Sequence, residues 1–333
     1  MGIRVAVLGA GSWGTTVATL ASHNAQTTLW ARLPELAEGI NRDHLNPRYL
    51  PDRPLPSDLY ATPDIKEATA QAELVVMGVP SHGFRSLLET LPGLLKSGVP
   101  IISLAKGLEE DSLLRMTEII AEILPGHPVG VLTGPNLARE IMGGQAAASV
   151  IAMEDESLAQ RIRSVFTTGL FRVYTNRDVI GCEIGGALKN VIAIAAGMGD
   201  GVGVGDNTKA AVITRGLAEL TRLGIAMGGR EQTLAGLAGM GDLIATCISP
   251  QSRNRYVGQE LGRGRGIDEI TQGMHMVAEG VKTCRVVMRL SDRYGIELPI
   301  MKEVYGAVHE GRTALQAYRG LIRIRAGSEE EPG

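Results

Sequence analysis

The run IRVAVLGAGSWG at residues 3–14 leaves this chain few folds to choose from. Its first six residues are apolar and β-branched enough to predict a short buried strand, and a helical pattern runs on through His23. Between them stand Gly9, Gly11 and Gly14 in G-x-G-x-x-G spacing. Gly9 permits a tight turn, Gly11 lets the backbone approach a pyrophosphate, and Gly14 lets the helix pack closely on the strand. The helix N-terminus then faces the phosphates. A glycine-rich turn with no ligand has the same spacing. Here strand and helix flank the glycines in the required order, so dinucleotide binding is the expectation.

A second strand, TTLWA at residues 27–31, ends where an NAD-selective site places a carboxylate for the ribose 2′-hydroxyl. This chain has Arg32 there. A guanidinium pairs with a 2′-phosphate, which favours NADPH and leaves NADH possible. The alternative is an exposed arginine at a strand end. The segment NPRYLPDRPLP, residues 46–56, has too much proline for a helix and predicts an ordered surface excursion. Within it Tyr49 either packs against the cofactor or anchors the loop.

Further apolar strands are expected at 73–80, 100–107, 128–135, 147–153 and 170–176. Helices are expected between them, near 82–96, 112–124 and 156–167, with a short one after residue 135. Continuous apolar strands separated by helices predict a doubly wound, Rossmann-like α/β domain covered on both faces. Ligands of such folds sit beyond the carboxyl ends of the strands, where this chain places Val79 and Pro80, Lys106, and the Gly134–Asn136 turn. Lys106 is either a surface charge or a site residue.

After Tyr174 the strand pattern stops and an all-helical domain is expected. The predicted boundaries are 1–177 for the dinucleotide-binding domain, 178–325 for the helical one and 326–333 for an acidic flexible tail. The stretch DVIGCEIGGALKNVIAIAAGM, residues 178–198, is nearly uncharged and predicts a helix buried on most sides. Lys189 stands in its middle, one turn after Gly185 and Gly186. Burial lowers a lysine pKa and makes it a general acid/base, while the alternative is an ammonium that snorkels to solvent. Asp242, between glycines in GMGDL, is the natural carboxylate partner, or else a helix N-cap. Ser252, Arg253 and Asn254 read as the opening of a helix, where free amides and an arginine hold a phosphate, or as a solvated polar turn. Glu279 stands beside a glycine in VAEGVKT.

At 333 residues two domains are more natural than one. A net charge of −3 supplies no broad basic field and argues against nucleic acid, leaving small molecules as partners. Cys182, Cys247 and Cys284 lack CxxC spacing, which suits a reducing cytosol and offers no zinc site. The glycines and the polar SWGTT interrupt the apolar start, so a secretory leader is rejected. No window holds the roughly 18 consecutive apolar residues of a spanning helix, so membrane insertion is not expected.

Together these segments resemble the bacterial NAD(P)-dependent glycerol-3-phosphate dehydrogenases over nearly the whole chain. The resemblance rests on GAGSWGTTVA, SLAKGLE, GPNLARE, CEIGGALKNVIAIAAG, GMGDLIATCISPQSRNR, VAEGVKT and ELPIMKEVY. GGxxKN is shared more widely among dehydrogenases, whereas GAGSWGT, GMGDL and SRNR together are narrow. The resemblance implies a Rossmann-like domain followed by an all-α domain of the 6-phosphogluconate dehydrogenase C-terminal type. It implies that Lys189 is the proton donor or acceptor. It places Lys106, Gly134, Asn136, Asp242, Ser252, Arg253 and Asn254 around the substrate. Gly9, Gly11, Ser12, Trp13, Gly14, Arg32, Tyr49, Lys106, Ala138, Arg253, Val277 and Glu279 fall to the cofactor. Asn136 departs from the Ser or Thr common at its position, so that contact differs here.

The reaction so implied is reversible reduction of dihydroxyacetone phosphate to sn-glycerol 3-phosphate for phospholipid synthesis. A cytoplasmic protein is expected, and an apolar helical domain of this kind often buries a homodimer face, while the sequence leaves the oligomeric state open. Two rivals keep the fold: a dehydrogenase of a carboxylate substrate, a 3-hydroxy acid or ketopantoate, and an NADPH-binding regulator without turnover.

Overall fold

The computed structural model describes residues 2–274 and 277–323. The expected acidic tail at 326–333 lies outside them. The chain forms two compact units, one from the chain up to Ala105 together with Met116–Val179, the other from Lys106–Arg115 together with the chain from Ile180 onward.

The first unit is built on ten strands: β1 (Arg4–Leu8), β2 (Gln26–Trp30), β3 (Leu45–Asn46), β4 (Leu50–Pro54), β5 (Tyr60–Thr62), β6 (Leu74–Met77), β7 (Ile101–Ser103), β8 (Val129–Thr133), β9 (Ala147–Met153) and β10 (Phe171–Asn176). Eight of them make one sheet in the order β10-β9-β8-β7-β6-β1-β2-β5. The chain winds outward from β1 through β2 to β5, then returns to β6 on the other side of β1. The order therefore reverses between β1 and β6, which is where a doubly wound sheet opens a crevice. All four residues of β6 are buried, as expected for a strand covered on both faces.

One strand pair runs against the rest. β9 is antiparallel to β8, and β10 is parallel to β9. Between β8 and β9 the only helix is Ala138–Met142. Five helical residues span about 7.5 Å, too little to carry the chain back along a five-residue strand of about 17 Å. The chain instead turns at the end of β8 and runs back beside it.

Two expected helices are shorter than predicted. In place of one over 82–96 there is a 3₁₀ turn, Ser81–Gly83, and a helix, Phe84–Leu88; Pro92 lacks a donor and Gly93 adopts φ +79°. In place of 112–124 the helix is Met116–Ile123. The preceding residues fold back, with Leu113 at φ +64° and a β-bridge from Leu108 to Arg115. The division expected at residue 177 leaves this segment in the first domain. Lys106–Arg115 clusters with the helical unit because Leu108 is buried in that unit's core and Arg115 pairs with Glu183 there.

The excursion at 46–56 is ordered as an antiparallel ribbon of β3 and β4. Asn46 is fully buried and its Nδ2 donates to the carbonyl of Ala10 and to Thr15 Oγ1, both at 2.9 Å, which ties the ribbon to the glycine loop.

The described residues of the second unit form no named strand. Its axis is the helix Val179–Val202, from which Ile184, Leu188, Val191, Ile192 and Ile194 enter the core. That helix has the length and hydropathy of a membrane span, yet 94% of the qualifying window is buried inside the protein. The helix Arg253–Gly262 crosses it in backbone contact: a Cβ at Gly258 would lie 2.0 Å from the carbonyl oxygen of Ile194. That crossing brings Asn254 to Asn190.

Candidate active site

Lys189 does not snorkel. It is 5% exposed, and its Nζ donates to Thr246 Oγ1 at 2.6 Å and lies 3.1 Å from Asp242 Oδ1. Burial pushes its pKa down from 10.5 to about 8; the Asp242 charge opposes the shift and the Lys106 charge adds to it. The ammonium and its free base are therefore both accessible near neutral pH.

Gly185 explains how the carboxylate reaches the lysine. A Cβ there would lie 2.8 Å from the carbonyl oxygen of Ala238, so only glycine lets the π-helical turn Leu237–Gly241 rest on the lysine helix. Asp242 follows as the first residue of the helix Asp242–Ile248. The π-helical turn runs on into this helix without a break, and Asp242 is only 2% exposed. Thr246, four residues on, donates to the Asp242 carbonyl at 2.6 Å and so presents an oxygen lone pair to Lys189.

Lys106 takes the other side of the same carboxylate, with Nζ 2.6 Å from Asp242 Oδ2. Its main-chain carbonyl accepts from Asn190 Nδ2 at 3.0 Å. Asn190 Oδ1 accepts from Asn254 Nδ2 at 2.8 Å, and Asn254 Oδ1 accepts from the Gly280 amide at 2.9 Å. Both ends of the Asn254 amide are thus engaged within the protein. Ser252 caps the helix Arg253–Gly262, accepting from the Arg255 amide at 3.2 Å. The amides of Arg253 and Asn254 precede the first intrahelical bond. Arg253 is exposed and its Nη1 donates to the Val277 carbonyl at 2.7 Å. Glu279 opens the helix Glu279–Tyr294.

The remaining expected residues lie in the first unit. Gly9 adopts φ +126°, and a Cβ on Gly14 would lie 2.0 Å from the Gly9 carbonyl oxygen, so turn and close packing both require glycine. At Gly11 a Cβ would meet nothing within 4 Å. No packing inside the protein asks for glycine there, whereas a phosphate drawn onto the amides of the helix Ser12–Ser22 does. Trp13 Nε1 is buried without a hydrogen-bond partner. These features fit a dinucleotide. Arg32 is exposed just past β2. The Tyr49 carbonyl accepts from Ser12 Oγ at 3.3 Å, and the Arg48 guanidinium stands 5.6 Å over its ring. Gly134 follows β8 at φ +141°, and Ala138 is half-buried at the start of its helix.

Residues 4–159 match the family model for the NAD-dependent glycerol-3-phosphate dehydrogenase N-terminus, and residues 178–319 match the one for its C-terminus. The chain belongs to the NAD-dependent glycerol-3-phosphate dehydrogenase family. It is 60% identical over 333 residues to glycerol-3-phosphate dehydrogenase [NAD(P)+] 2 of Sphingopyxis alaskensis, covering 100% of both chains. It is 53% identical to the [NAD(P)+] enzyme of Mycobacterium avium, over 98% of this chain and 96% of that one. The crystal structure of glycerol-3-phosphate dehydrogenase from Coxiella burnetii matches with a TM-score of 0.92 at 35% identity, over 97% of this chain and 99% of that one.

Within this dehydrogenase fold three participants had gone unnamed. Thr246 orients the lysine, Asn46 holds the glycine loop, and Arg115 closes the segment that carries Lys106. A threonine one helical turn after a candidate catalytic aspartate is a readable signal for the first. The Asn136 departure also gains a geometry. Its Nδ2 donates to Ser149 Oγ at 3.0 Å, and its Oδ1 is buried without a partner.

Proposed function

We propose that this chain catalyses the reversible NAD(P)H-dependent reduction of dihydroxyacetone phosphate to sn-glycerol 3-phosphate. The observation that carries the reading is Lys189, a buried lysine with a pKa of about 8, held by Asp242 and Thr246.

Bound NAD(P)H supplies the hydride that C2 of the ketone accepts. An ammonium has three N–H bonds. Lys189 directs one to Thr246 and one toward Asp242, which leaves a third for the C2 oxygen. As that oxygen becomes an alkoxide, Lys189 gives it a proton; in the oxidative direction the neutral amine takes the proton back. Lys106 adds positive charge beside the developing alkoxide. Arg253 and the amides opening its helix hold the phosphate, with Ser252 and Asn254 fixing that helix start, so that binding energy far from C2 positions the reacting carbon. Asn136 Oδ1 is the acceptor we assign to a substrate hydroxyl. Gly9, Gly11, Ser12, Trp13 and Gly14 hold the cofactor pyrophosphate, with Tyr49 fixing the loop and Ala138, Val277 and Glu279 completing the cofactor contacts. Arg32 favours the 2′-phosphate of NADPH over NADH.

We read the assembly as a cytoplasmic homodimer. Met240, Ile244 and Ile248, four residues apart along one helical run of the helical unit, are 39–64% exposed, an apolar stripe that a second copy would cover. Light scattering on the purified protein tests this, and a monomer at micromolar concentration rules it out.

The test of the reaction is loss of nicotinamide absorbance when NADPH and dihydroxyacetone phosphate are mixed with the protein, repeated with NADH and with inorganic phosphate as competitor. Oxidation that phosphate inhibits supports the reading. Cofactor binding without oxidation of this ketone overturns it and directs attention to carboxylate substrates.

A further inference from the structure

Lys106 is delivered to Asp242 by a segment with no helix or extended strand of its own, and the precision of that delivery has a visible source. The segment Lys106–Arg115 closes on itself through the Leu108–Arg115 bridge and the Glu109 amide, which donates to the Leu114 carbonyl at 3.0 Å. Leu113 adopts φ +64°, a conformation a branched side chain keeps only where its surroundings hold it. Leu108 is buried in the helical core. At the far end, Arg115 Nη1 meets Glu183 Oε2 at 2.6 Å, and the two side chains are only 13% and 4% exposed. Outside, Arg289 donates to the carbonyls of Glu110 and Asp111, and Arg285 pairs with Glu110 at 3.1 Å.

Glu183 and Lys189 ride on the same helix, six residues and about 9 Å apart. The segment is fixed to that helix twice: Asn190 holds the Lys106 carbonyl at one end, and Glu183 holds Arg115 at the other. A buried ion pair is a poor stabiliser, since apolar side chains of similar volume do as well. What this pair supplies is a fixed geometry. We propose that the Arg115–Glu183 ion pair is a positioning device that fastens the segment Lys106–Arg115 to the Lys189 helix and thereby holds the Lys106 ammonium on Asp242.

Chemistry at Lys189 then depends on Arg115 without contact between them. The groups facing Lys189 are Asp242, Thr246, Cys247 and Lys106, and of these only Lys106 lowers its pKa by charge. Releasing the segment withdraws that charge.

The test compares the native protein with Glu183→Gln, with the milder Arg289→Met, and with the exchanged pair Arg115→Glu plus Glu183→Arg. The first readout is the rate at which an amine-acetylating reagent modifies Lys106, measured by peptide mass spectrometry against Lys209, which pairs with Asp200 at 2.6 Å in the same unit. We expect Glu183→Gln to speed Lys106 modification about tenfold or more with Lys209 unchanged, Arg289→Met to do so by less, and the exchanged pair to restore the native rate. The second readout is the pH profile of kcat/KM for dihydroxyacetone phosphate, which alone rests on the function proposed above. There kcat/KM falls by up to about 10²-fold and the alkaline limb moves to higher pH. Equal acceleration at both lysines, or an unmoved limb with only less folded protein, overturns the proposal. If the native protein does not reduce this ketone, the function reading fails, and the labelling still decides the positioning role.

Discussion

Lys189 Nζ lies 3.1 Å from Asp242 Oδ1, and the lysine is only 5% exposed. The carboxylate is already satisfied on its other oxygen by Lys106 at 2.6 Å, so removing Lys189 does not strand a buried charge. Lys189→Met, which keeps most of the volume, therefore folds and binds cofactor. Its turnover falls by about 10² to 10⁴, the share of a positioned general acid/base. Near-native turnover in a variant with an unchanged circular dichroism spectrum removes Lys189 from the chemistry.

Direction of reaction fixes the sign of the pH dependence. Reduction needs the ammonium and oxidation needs the free amine, so with a pKa of about 8 the reductive kcat declines above that pH while the oxidative kcat rises through it. Lys106→Met removes the like charge that helps depress this pKa. Both limbs should then move to higher pH, together with a loss of activity. Initial rates in both directions across pH 6 to 10 measure this, and a limb that stays in place or moves down contradicts the electrostatic coupling.

Two glycines of the same loop should respond differently to one methyl group. A Cβ on Gly14 would lie 2.0 Å from the Gly9 carbonyl oxygen, so Gly14→Ala forces helix and strand apart and lowers the melting temperature of the first unit. At Gly11 a Cβ meets nothing within 4 Å, so Gly11→Ala folds normally. Its cost falls on cofactor affinity alone, because the methyl intrudes where the pyrophosphate approaches the backbone. Calorimetry for stability and fluorescence titration with NADPH separate the two. Unaltered affinity in Gly11→Ala moves the phosphates elsewhere.

Much of this was legible in the chain because strong local signals carried it. The βα unit at residues 3–23, the change to helices after Tyr174 and the lysine in an apolar helix each follow from periodicity and side-chain chemistry. What was not legible depended on distant partners. Nothing near Arg115 in sequence says that Glu183 awaits it 68 residues away, so Lys106–Arg115 reads as part of the first domain. Asn254 likewise reads as a phosphate ligand at a helix opening, yet its side chain bonds Asn190 and Gly280. The reversal of β9 follows from the shortness of one helix; a short helix was expected after residue 135, but its consequence for strand direction was not drawn from it.

The role we propose for Arg32, reading the 2′-phosphate of NADPH, rests on charge alone. A charge-assisted hydrogen bond to a 2′-phosphate contributes about 1.5–3 kcal/mol, whereas a 2′-hydroxyl gains little from a guanidinium. Arg32→Ser should raise the KM for NADPH by about 10- to 100-fold and leave that for NADH nearly unchanged. Equal losses with both cofactors mean that Arg32 shapes the loop rather than reading the phosphate.

Glu219 gives the helical unit a pH dependence of its own. Its carboxyl, 1% exposed, accepts from the Ile300 amide at 2.6 Å and the Met301 amide at 3.1 Å, where the helix Pro299–His309 begins. Burial raises its pKa from 4.5 to about 7, against the two amides and the charges of Arg222 and Arg215. A group whose native pKa lies above its unfolded one stabilises the fold below the unfolded value, and that stability is lost as pH rises through the native pKa. Glu219 therefore removes stability between about pH 4.5 and 7, by up to about 3 kcal/mol for a shift of this size. Lys189 acts later and with the opposite sign: its native pKa of about 8 lies below the ordinary 10.5, so stability returns across that interval. Glu219→Gln is uncharged at every pH. It should flatten the decline across the lower window and leave the rise across the upper one in place. Urea unfolding at pH 5, 7.5 and 9.5 reads both, and a native-like decline in the glutamine variant assigns it to another carboxylate.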